Sequence, residues 1–467
     1  MLEIKLLEKV LKEALATGGD FAEIFEEKTY KNNISMLNGK VENVNSGIRS
    51  GVGLRIYHEL ESVYAYTNDL TEKNLLKTAK QLAAAINDKV TITDVKLKET
   101  TYKNAHPIRL YPRSYSMNQK VDLLKRANDA ALAYDEHIQK AMSFLLDEEQ
   151  HVAIANSDGK YIQDTRVHTR LGMSVIAEDH DLHETGSCSP GASKGMEFYE
   201  EEAIPEDIGK EASRAAMKML YADNCPSGTM PVVIDNGFGG VIFHEACGHA
   251  LEAAAVAKGQ SVFCGKLGQK IANDCVSAVD DGTIPNAWGS QNIDDEGNFQ
   301  KRRVLIENGT LKSYMVDRLN GRRMGMESTS SSRRESYKYE TTSRMTNTFI
   351  LEGKDTLEDM IATTSYGLYA KSLGGGSVDP STGDFNFSVR EGYLIKDGKI
   401  DKPVKGATLI GNGADVLMKI DMVGNNLKRS QGMCGASSGS IPTDVGQPPI
   451  HVSAMIVGGK DGGSDHE

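Results

Sequence analysis

Two histidines five residues apart bracket a glutamate in the run His244-Glu245-Ala246-Cys247-Gly248-His249, and a regular helix cannot serve that spacing. Four residues advance about 400°, so the common H-E-x-x-H pattern leaves its two imidazoles only about 40° apart. Five residues advance about 500°, which would set His244 and His249 about 140° apart and keep them from sharing an ion. The hexad therefore predicts a locally distorted helix. Gly248 can accommodate a π-bulge, whose i to i+5 bonding would bring both rings to one side. The residue types point to zinc chemistry: imidazole is its commonest ligand, zinc-bound water has a pKa near about 7, and an adjacent glutamate can take the proton. A chance match is the rival reading. Against it, Pro231-Val232-Val233-Ile234 reads as a strand, Asn236-Gly237-Phe238-Gly239-Gly240 as a tight turn, and the hexad as part of a helix reaching Leu251 and Ala255.

A catalytic zinc normally takes three protein ligands and leaves one position open. Cys434 is the best third candidate, because Gly432-Met433-Cys434-Gly435 surrounds a strong thiolate donor with small residues that let backbone approach an ion. The competing reading is a buried thiol packing as a small hydrophobe. Cys247 is read as packing, since one helical face cannot easily present three neighbouring ligands.

The 467 residues suggest two or three domains, and 39% hydrophobic with 25% charged residues is ordinary for a globular chain. A formal charge of −12 argues against direct nucleic-acid binding, which requires a basic surface. The N-terminal MLEIKLLEKVLKEAL reads as an amphipathic helix rather than a signal peptide, and no segment is apolar enough to span a membrane. Six cysteines without C-x-x-C pairs fit a cytoplasmic protein better than a disulfide scaffold.

The expected class is α+β: an N-terminal domain of antiparallel sheet with long helices, residues 1–224, then a β-rich catalytic domain, residues 225–467. Helices are expected over Leu2 to Ala16, Thr71 to Ile86, Asn118 to Tyr134 and Asp207 to Tyr221. Strands are expected at Phe21 to Tyr30, Ile34 to Leu37, Val41 to Val44, Val52 to Tyr57 and Val63 to Thr67 in the first part. The second part has candidates at Val304 to Ile306, Leu311 to Val316, Thr346 to Leu351, Phe385 to Val389 and Tyr393 to Lys396. Hairpin turns are expected at Asn38-Gly39, Asn308-Gly309 and Asp397-Gly398. The boundary falls at Asn224-Cys225-Pro226-Ser227-Gly228, and 458–467 reads as a loose polar end.

Other constellations compete less well. Glu178 to Glu184 is rich in acids and histidines but reads as a solvated loop. Asp294-Asp295-Glu296-Gly297 lacks the full alternation of a calcium loop, and reads as a turn or channel wall. Gly435 to Gly439 matches G-x-S-x-G without the helix that a nucleophile elbow needs. Cys434 with His451 as a cysteine hydrolase would leave the hexad unexplained. Gly374-Gly375-Gly376 lacks the lysine and helix of a phosphate loop. Arg333, Arg334 and Arg344 can be read as a clamp for a peptide carboxylate, or as an internal ion pair or a subunit contact.

The ordered series HEACGHALE, SVFCGKLGQ, VDDGT, IDDEGN, RRESY, RMTNT, GGGSVDPSTGDFNFSVREGYLI and GMCG…VGQPPIHV resembles the TldD/PmbA family over nearly the whole chain. The nearer likeness is to its TldD-type subunit, a zinc peptidase historically called a modulator of DNA gyrase. The resemblance implies zinc held by His244, His249 and Cys434, with Glu245 as the catalytic acid and base. It further implies a short or unfolded peptide substrate and a heterodimer with a metal-free PmbA/TldE-type companion, or a homodimer. The chain departs from the pattern after Cys434-Gly435, where Ala436 and a serine-rich stretch replace the family's usual lysine. The segment Ser328 to Ser332 departs similarly. A noncatalytic scaffold or regulatory subunit with a closed, four-ligand structural metal site is the alternative.

Overall fold

Three hairpins are fixed by residues that tolerate left-handed backbone. In the computed structural model, which describes residues 1–379 and 382–459, Asn38 and Gly39 have φ of 46° and 75°, Asn308 and Gly309 48° and 75°, and Asp397 and Gly398 52° and 71°. Both central positions are left-handed, as a two-residue type I′ turn requires. Of the stretch expected to be loose, 460–467 lie outside the described residues.

The first turn joins Phe21–Leu37 to Lys40–His58. Each is one long strand where the sequence suggested two short ones. The intervening Asn32, Asn33, Asn45 and Ser46 remain in register, because the ladder is made by backbone groups and the polar side chains find solvent or, for Asn32, the Asp147 carboxylate at 2.7 Å. These strands belong to an eight-stranded sheet. Its main order is Glu61–Thr67, Lys40–His58, Phe21–Leu37, Ile138–Asn156, Lys160–Asp179, Lys98–Thr100, with Leu182–Cys188 and Gly191–Ala192 also paired to Lys160–Asp179. Only Lys98–Thr100 pairs parallel in this sheet.

Alternation of side chains along Ile138–Asn156 separates the layers. Ala141, Leu145, Ala153 and Ala155 pack with helices on one face, whereas Val152 and Ile154 meet Ile293 and Tyr337 of the second half on the other. The helices Ile4–Ala14 and Glu72–Ala83 cover one end of the helical face, and Met117–Leu132 with Pro205–Leu220 the other. Leu7, Val10, Leu11 and Ala14 form the buried stripe of the first helix. A Ser116–Gln119 capping box starts the third. All four end one to three residues earlier than hydrophobic periodicity suggested; the first two also start one or two residues later, whereas the third and fourth start one or two residues earlier.

The second half contains an eight-stranded and a six-stranded sheet, so the architecture is mixed α/β with several sheets. In the larger one, Tyr366–Val378, Gly228–Ile234, Ile450–Gly458, Thr408–Asn412 and Asp384–Lys396 close into a ring, because the first and last also pair. The other runs Thr310–Leu311, Arg302–Glu307, Ala278–Asp281, Asn347–Ile350, Gly439–Gln447, Lys428–Ala436, leaving the last at an edge. The strand expected over Leu311 to Val316 stops at Leu311. Beyond it, Met315 bonds instead to Leu251 and Ala253, at 2.9 and 2.8 Å, so this segment supports the hexad.

The Asp294–Gly297 turn is buried against the first sheet. Arg55 donates to Glu23 and Glu296 at 3.1 and 2.9 Å, Arg166 to Asp295 at 2.7 Å, and Arg334 to Glu23 at 2.8 Å. The pairs Arg55–Glu296, Arg166–Asp295 and Arg334–Glu23 join the two halves, each charge desolvated but partnered. Among the described residues no helix is long and apolar enough to cross a membrane.

Candidate metal site

The helix carrying the hexad changes its winding three times. After the strand Gly228–Ile234, Gly237–Gly240 makes a 3-10 turn, Val241–Phe243 an α-helical one, His244–Gly248 a π-helical one and His249–Leu251 a second 3-10 turn. The π turn is the expected distortion, and it brings the rings of His244 and His249 to a centroid separation of 5.1 Å, nearly perpendicular at 83°. Gly248 itself has ordinary helical angles, φ −56° and ψ −52°. What it supplies is space, since a Cβ there would lie 2.4 Å from Met345 Sδ. Gly240 likewise lets the helix rest on the next sheet: a Cβ would lie 2.4 Å from the Gly446 carbonyl oxygen.

The helix was expected to continue to Ala255 but breaks at Glu252, whose φ of −75° and ψ of 130° are extended. Backbone bonds to Met315 on either side hold this break. They free the Glu252 carboxylate to turn back onto His249, with Oε2 3.1 Å from Nδ1. That contact leaves Nε2 of His249 directed toward the cluster.

Cys434 arrives from the edge strand Lys428–Ala436, opposite Ile441 in the register. Its Sγ lies 3.3 Å from His244 Nε2 and 3.2 Å from His249 Nε2. A tetrahedral zinc with one sulfur and one nitrogen ligand separates those atoms by about 3.5 Å. The three donors therefore fit the ion: a thiolate, two imidazole nitrogens, all mutually within 4.8 Å. Among the described residues no other His, Cys, Asp or Glu group meets that criterion. Burial works to keep Cys434 protonated, but the charge and hydrogen bond of His244, joined by those of His249, bring its pKa down to about 3. Burial also disfavours a charged His249, yet Glu252 and Cys434 raise it well above the usual imidazole value. Glu245 Oε2 is 3.7 Å from His249 Nε2, and its side chain keeps 31% exposure, against 3% for His244. The carboxylate is thus the cluster's solvent-facing group.

Arg344 holds the far side of the cluster. Its Nη2 donates to the Cys434 carbonyl at 2.5 Å, its Nη1 to Ser438 Oγ and the Gly439 carbonyl at 2.8 and 3.0 Å, and its Nε lies 4.0 Å from Glu252. The serine-rich departure after Cys434 thus forms the turn between Lys428–Ala436 and Gly439–Gln447 and gives Arg344 an anchor. Arg334 is engaged by Glu23 and the Asp295 carbonyl, and Arg333 donates to the Met345 carbonyl at 2.7 Å. All three guanidinium groups are buried and bonded within the protein, and Arg344 lies beside a proposed ligand.

The remaining candidates stand apart. Cys247 Sγ faces the Gly413 carbonyl at 3.7 Å, as a packed thiol would. His451 Nδ1 is 2.5 Å from Asp421. Ser437 lies in a strand-to-strand turn, and Gly374-Gly375-Gly376 lies within a strand. Glu178 to Glu184 forms an exposed hairpin around His180. Glu252 was missed by sequence reading, although an acid three residues beyond His249 is a usable signal.

Models of the PmbA/TldA metallopeptidase match as domain 1 over residues 22–86, central domain over 110–220 and C-terminal domain over 227–459. The chain is 36% identical to a metalloprotease TldD homolog of Buchnera aphidicola and 37% identical to one of Haemophilus influenzae, each time over 94% of this chain and 93% of the relative. It is 25% identical, over 97% of this chain and 99% of the relative, to a zinc metalloprotease TldD homolog of Saccharolobus solfataricus. Among solved structures, TldE of Thermococcus kodakarensis superposes with a TM-score of 0.75 at 18% identity, covering 97% of this chain and 99% of that one. A Thermotoga maritima protein named for modulation of a DNA gyrase gives 0.79 at 21%, covering 97% and 99%.

Proposed function

Because the chain belongs to the PmbA/TldD metallopeptidase family, and is thereby a metallopeptidase, we propose that it is a zinc-dependent peptidase acting on short or unfolded peptides, with His244, His249 and Cys434 as metal ligands and Glu245 as general base. The observation that carries this reading is the meeting of the three donors beside a half-exposed glutamate. Zinc, when bound, would supply Lewis acidity to the scissile carbonyl and acidify water. Glu245 takes a proton from the attacking water and returns it to the leaving amine. Glu252 orients His249 through Nδ1, and Arg344 fixes the backbone of Cys434. The free edge of Lys428–Ala436 offers an extended peptide a strand to pair with.

Three ligands favour a catalytic over a closed structural site. Cys247 and His451, the candidates for a fourth, face other partners. A metal-free PmbA/TldE-type companion is the proposed partner, with a homodimer as the alternative, and the cytosol is the proposed compartment. Residues 225–467 would form the catalytic domain. The test is a pair of variants. Glu245→Gln should keep about one zinc per chain and lose turnover of unstructured peptides, whereas Cys434→Ala should lose the zinc. Undiminished turnover by Glu245→Gln would overturn the assignment.

A further inference from the structure

The first sheet and the edge hairpin enclose a second chemical feature, a cavity of about 390 Å3. Its walls include Phe144, His168 and Arg170 from the sheet, and Trp288, Arg333 and Met433 from the other half. Most of the basic residues around it have carboxylate partners: Lys31 with Glu148 at 3.4 Å, Arg49 with Glu27 at 2.9 Å, Arg166 with Asp295 at 2.7 Å and Arg334 with Glu23 at 2.8 Å. Arg170 and Arg333 differ. Among the described residues neither has a carboxylate oxygen within 4.0 Å.

Arg170 donates from Nε to the Ser189 carbonyl and hydroxyl, and its guanidinium lies 5.9 Å from the Trp288 ring centroid. Arg333 is 1% exposed and bonds only from Nη1, to Met345 and Thr443, while its Nε is buried without a partner. Burial, only partly countered by Asp295, lowers its pKa to about 10. His168 adds no charge to offset: burial and the nearby Arg333 lower it to about 3, leaving it neutral. A buried guanidinium without a counter-ion is costly, and a carboxylate entering the cavity would supply that counter-ion.

The cavity's place relative to the metal cluster suggests what brings that carboxylate. Met433 and Cys434 are consecutive on the edge strand and pair with Pro442 and Ile441, so their side chains point to opposite faces. Cys434 faces the hexad, Met433 the cavity. A peptide paired along the free edge would present alternate side chains to the two faces.

We propose that this cavity is a carboxylate subsite for the bound peptide, with Arg170 and Arg333 as its cationic partners and Trp288 as its aromatic wall. The carboxylate comes from an aspartate or glutamate near the scissile bond, or from the peptide's C-terminus. The identity of the ligand rests on the peptidase reading; its test does not. Trp288 is the single tryptophan of the chain, so intrinsic fluorescence reports occupancy without turnover. Tryptophan-free hexapeptides, with glutamate scanned through every position or with glutamine in its place, each as free acid and as amide, are titrated into the full-length Glu245→Gln protein.

A saturable change at least about tenfold tighter for the acidic member of a pair is expected. A difference between glutamate and glutamine assigns the side chain, and one between acid and amide the C-terminus. Arg170→Gln, at a half-exposed position, should abolish the preference while leaving the fold intact by circular dichroism; Arg333→Gln is the buried counterpart. Equal binding of charged and neutral peptides, no response to any acidic peptide, or a preference surviving Arg170→Gln would each overturn the subsite. Wild type that cleaves nothing but keeps the carboxylate preference would sink the peptidase reading alone.

Discussion

Replacing Glu252 with glutamine should weaken zinc binding by about five- to tenfold. Glu252 is 6% exposed, with one carboxylate oxygen 3.1 Å from His249 Nδ1 and the other 4.0 Å from Arg344 Nε. Hydrogen bonds to a charged group contribute about 1.5–3 kcal/mol, and neutral ones about 0.5–1.5 kcal/mol. Glutamine keeps an acceptor of the same shape, so only the difference is lost, about 1–1.5 kcal/mol, and about 1.4 kcal/mol corresponds to tenfold in affinity. Glu252→Ala removes the acceptor altogether and leaves Arg344 without its nearby charge, so its effect should approach the hundredfold end of the range for outer-shell partners, about 10–100-fold. Competition between metal-free protein and a chromophoric chelator reads the dissociation constant directly, with circular dichroism to verify the fold. If both variants bind zinc as tightly as wild type, His249 does not owe its orientation to Glu252, and the reasoning fails.

The metal should be indifferent to Cys247: Cys247→Ala is expected to retain about one zinc per chain by mass spectrometry, and loss of the ion would make the hexad cysteine a ligand. Gly240→Ala would drive a methyl into the Gly446 backbone and should cost about 1–3 kcal/mol in urea denaturation; an unchanged midpoint would show that the helix does not rest on that sheet. Glu391 supplies a pH test, since burial opposes its ionisation but hydrogen bonds from Arg214, Lys371 and Tyr393 hold its pKa at about 2, below the usual 4.5. Its stabilisation is therefore complete above pH 4.5 and lost as pH falls through about 2, so Glu391→Gln should lower the urea midpoint at pH 6 and differ less from wild type with acidification.

How far the site could be read in the sequence depends on the range of each interaction. The π turn was legible because it follows from angular arithmetic on His244 and His249 alone, and the Asn-Gly and Asp-Gly hairpins because both turn residues carry their own backbone preference. Cys434 lies 190 and 185 residues from its partners, and only its glycine neighbours and donor chemistry marked it; the meeting itself required two sheets to be stacked. The arginines were ambiguous for the same reason. Arg344 reaches a carbonyl of the edge strand and Arg334 a glutamate 311 residues away, and no local pattern distinguishes such a contact from a substrate clamp. Helix continuity past Leu251 was overestimated because periodicity reports which face is apolar, whereas the break at Glu252 is set by backbone bonds to Met315.

These long-range supports explain how an unfavourable local geometry can persist. A π turn wound between α and 3-10 turns is a poor helix in isolation. Here each side of it is constrained from elsewhere: Gly240 on the Gly446 backbone, Gly248 against Met345, and Leu251 and Ala253 bonded to Met315. Arg344 then hydrogen-bonds to the Cys434 carbonyl on the edge strand while its Nε lies 4.0 Å from the Glu252 carboxylate. The two ligand-bearing elements thus share a charged neighbour outside the donor set. That arrangement predetermines the separation of the three donors while leaving Glu245, the solvent-facing member of the hexad, free of the scaffold.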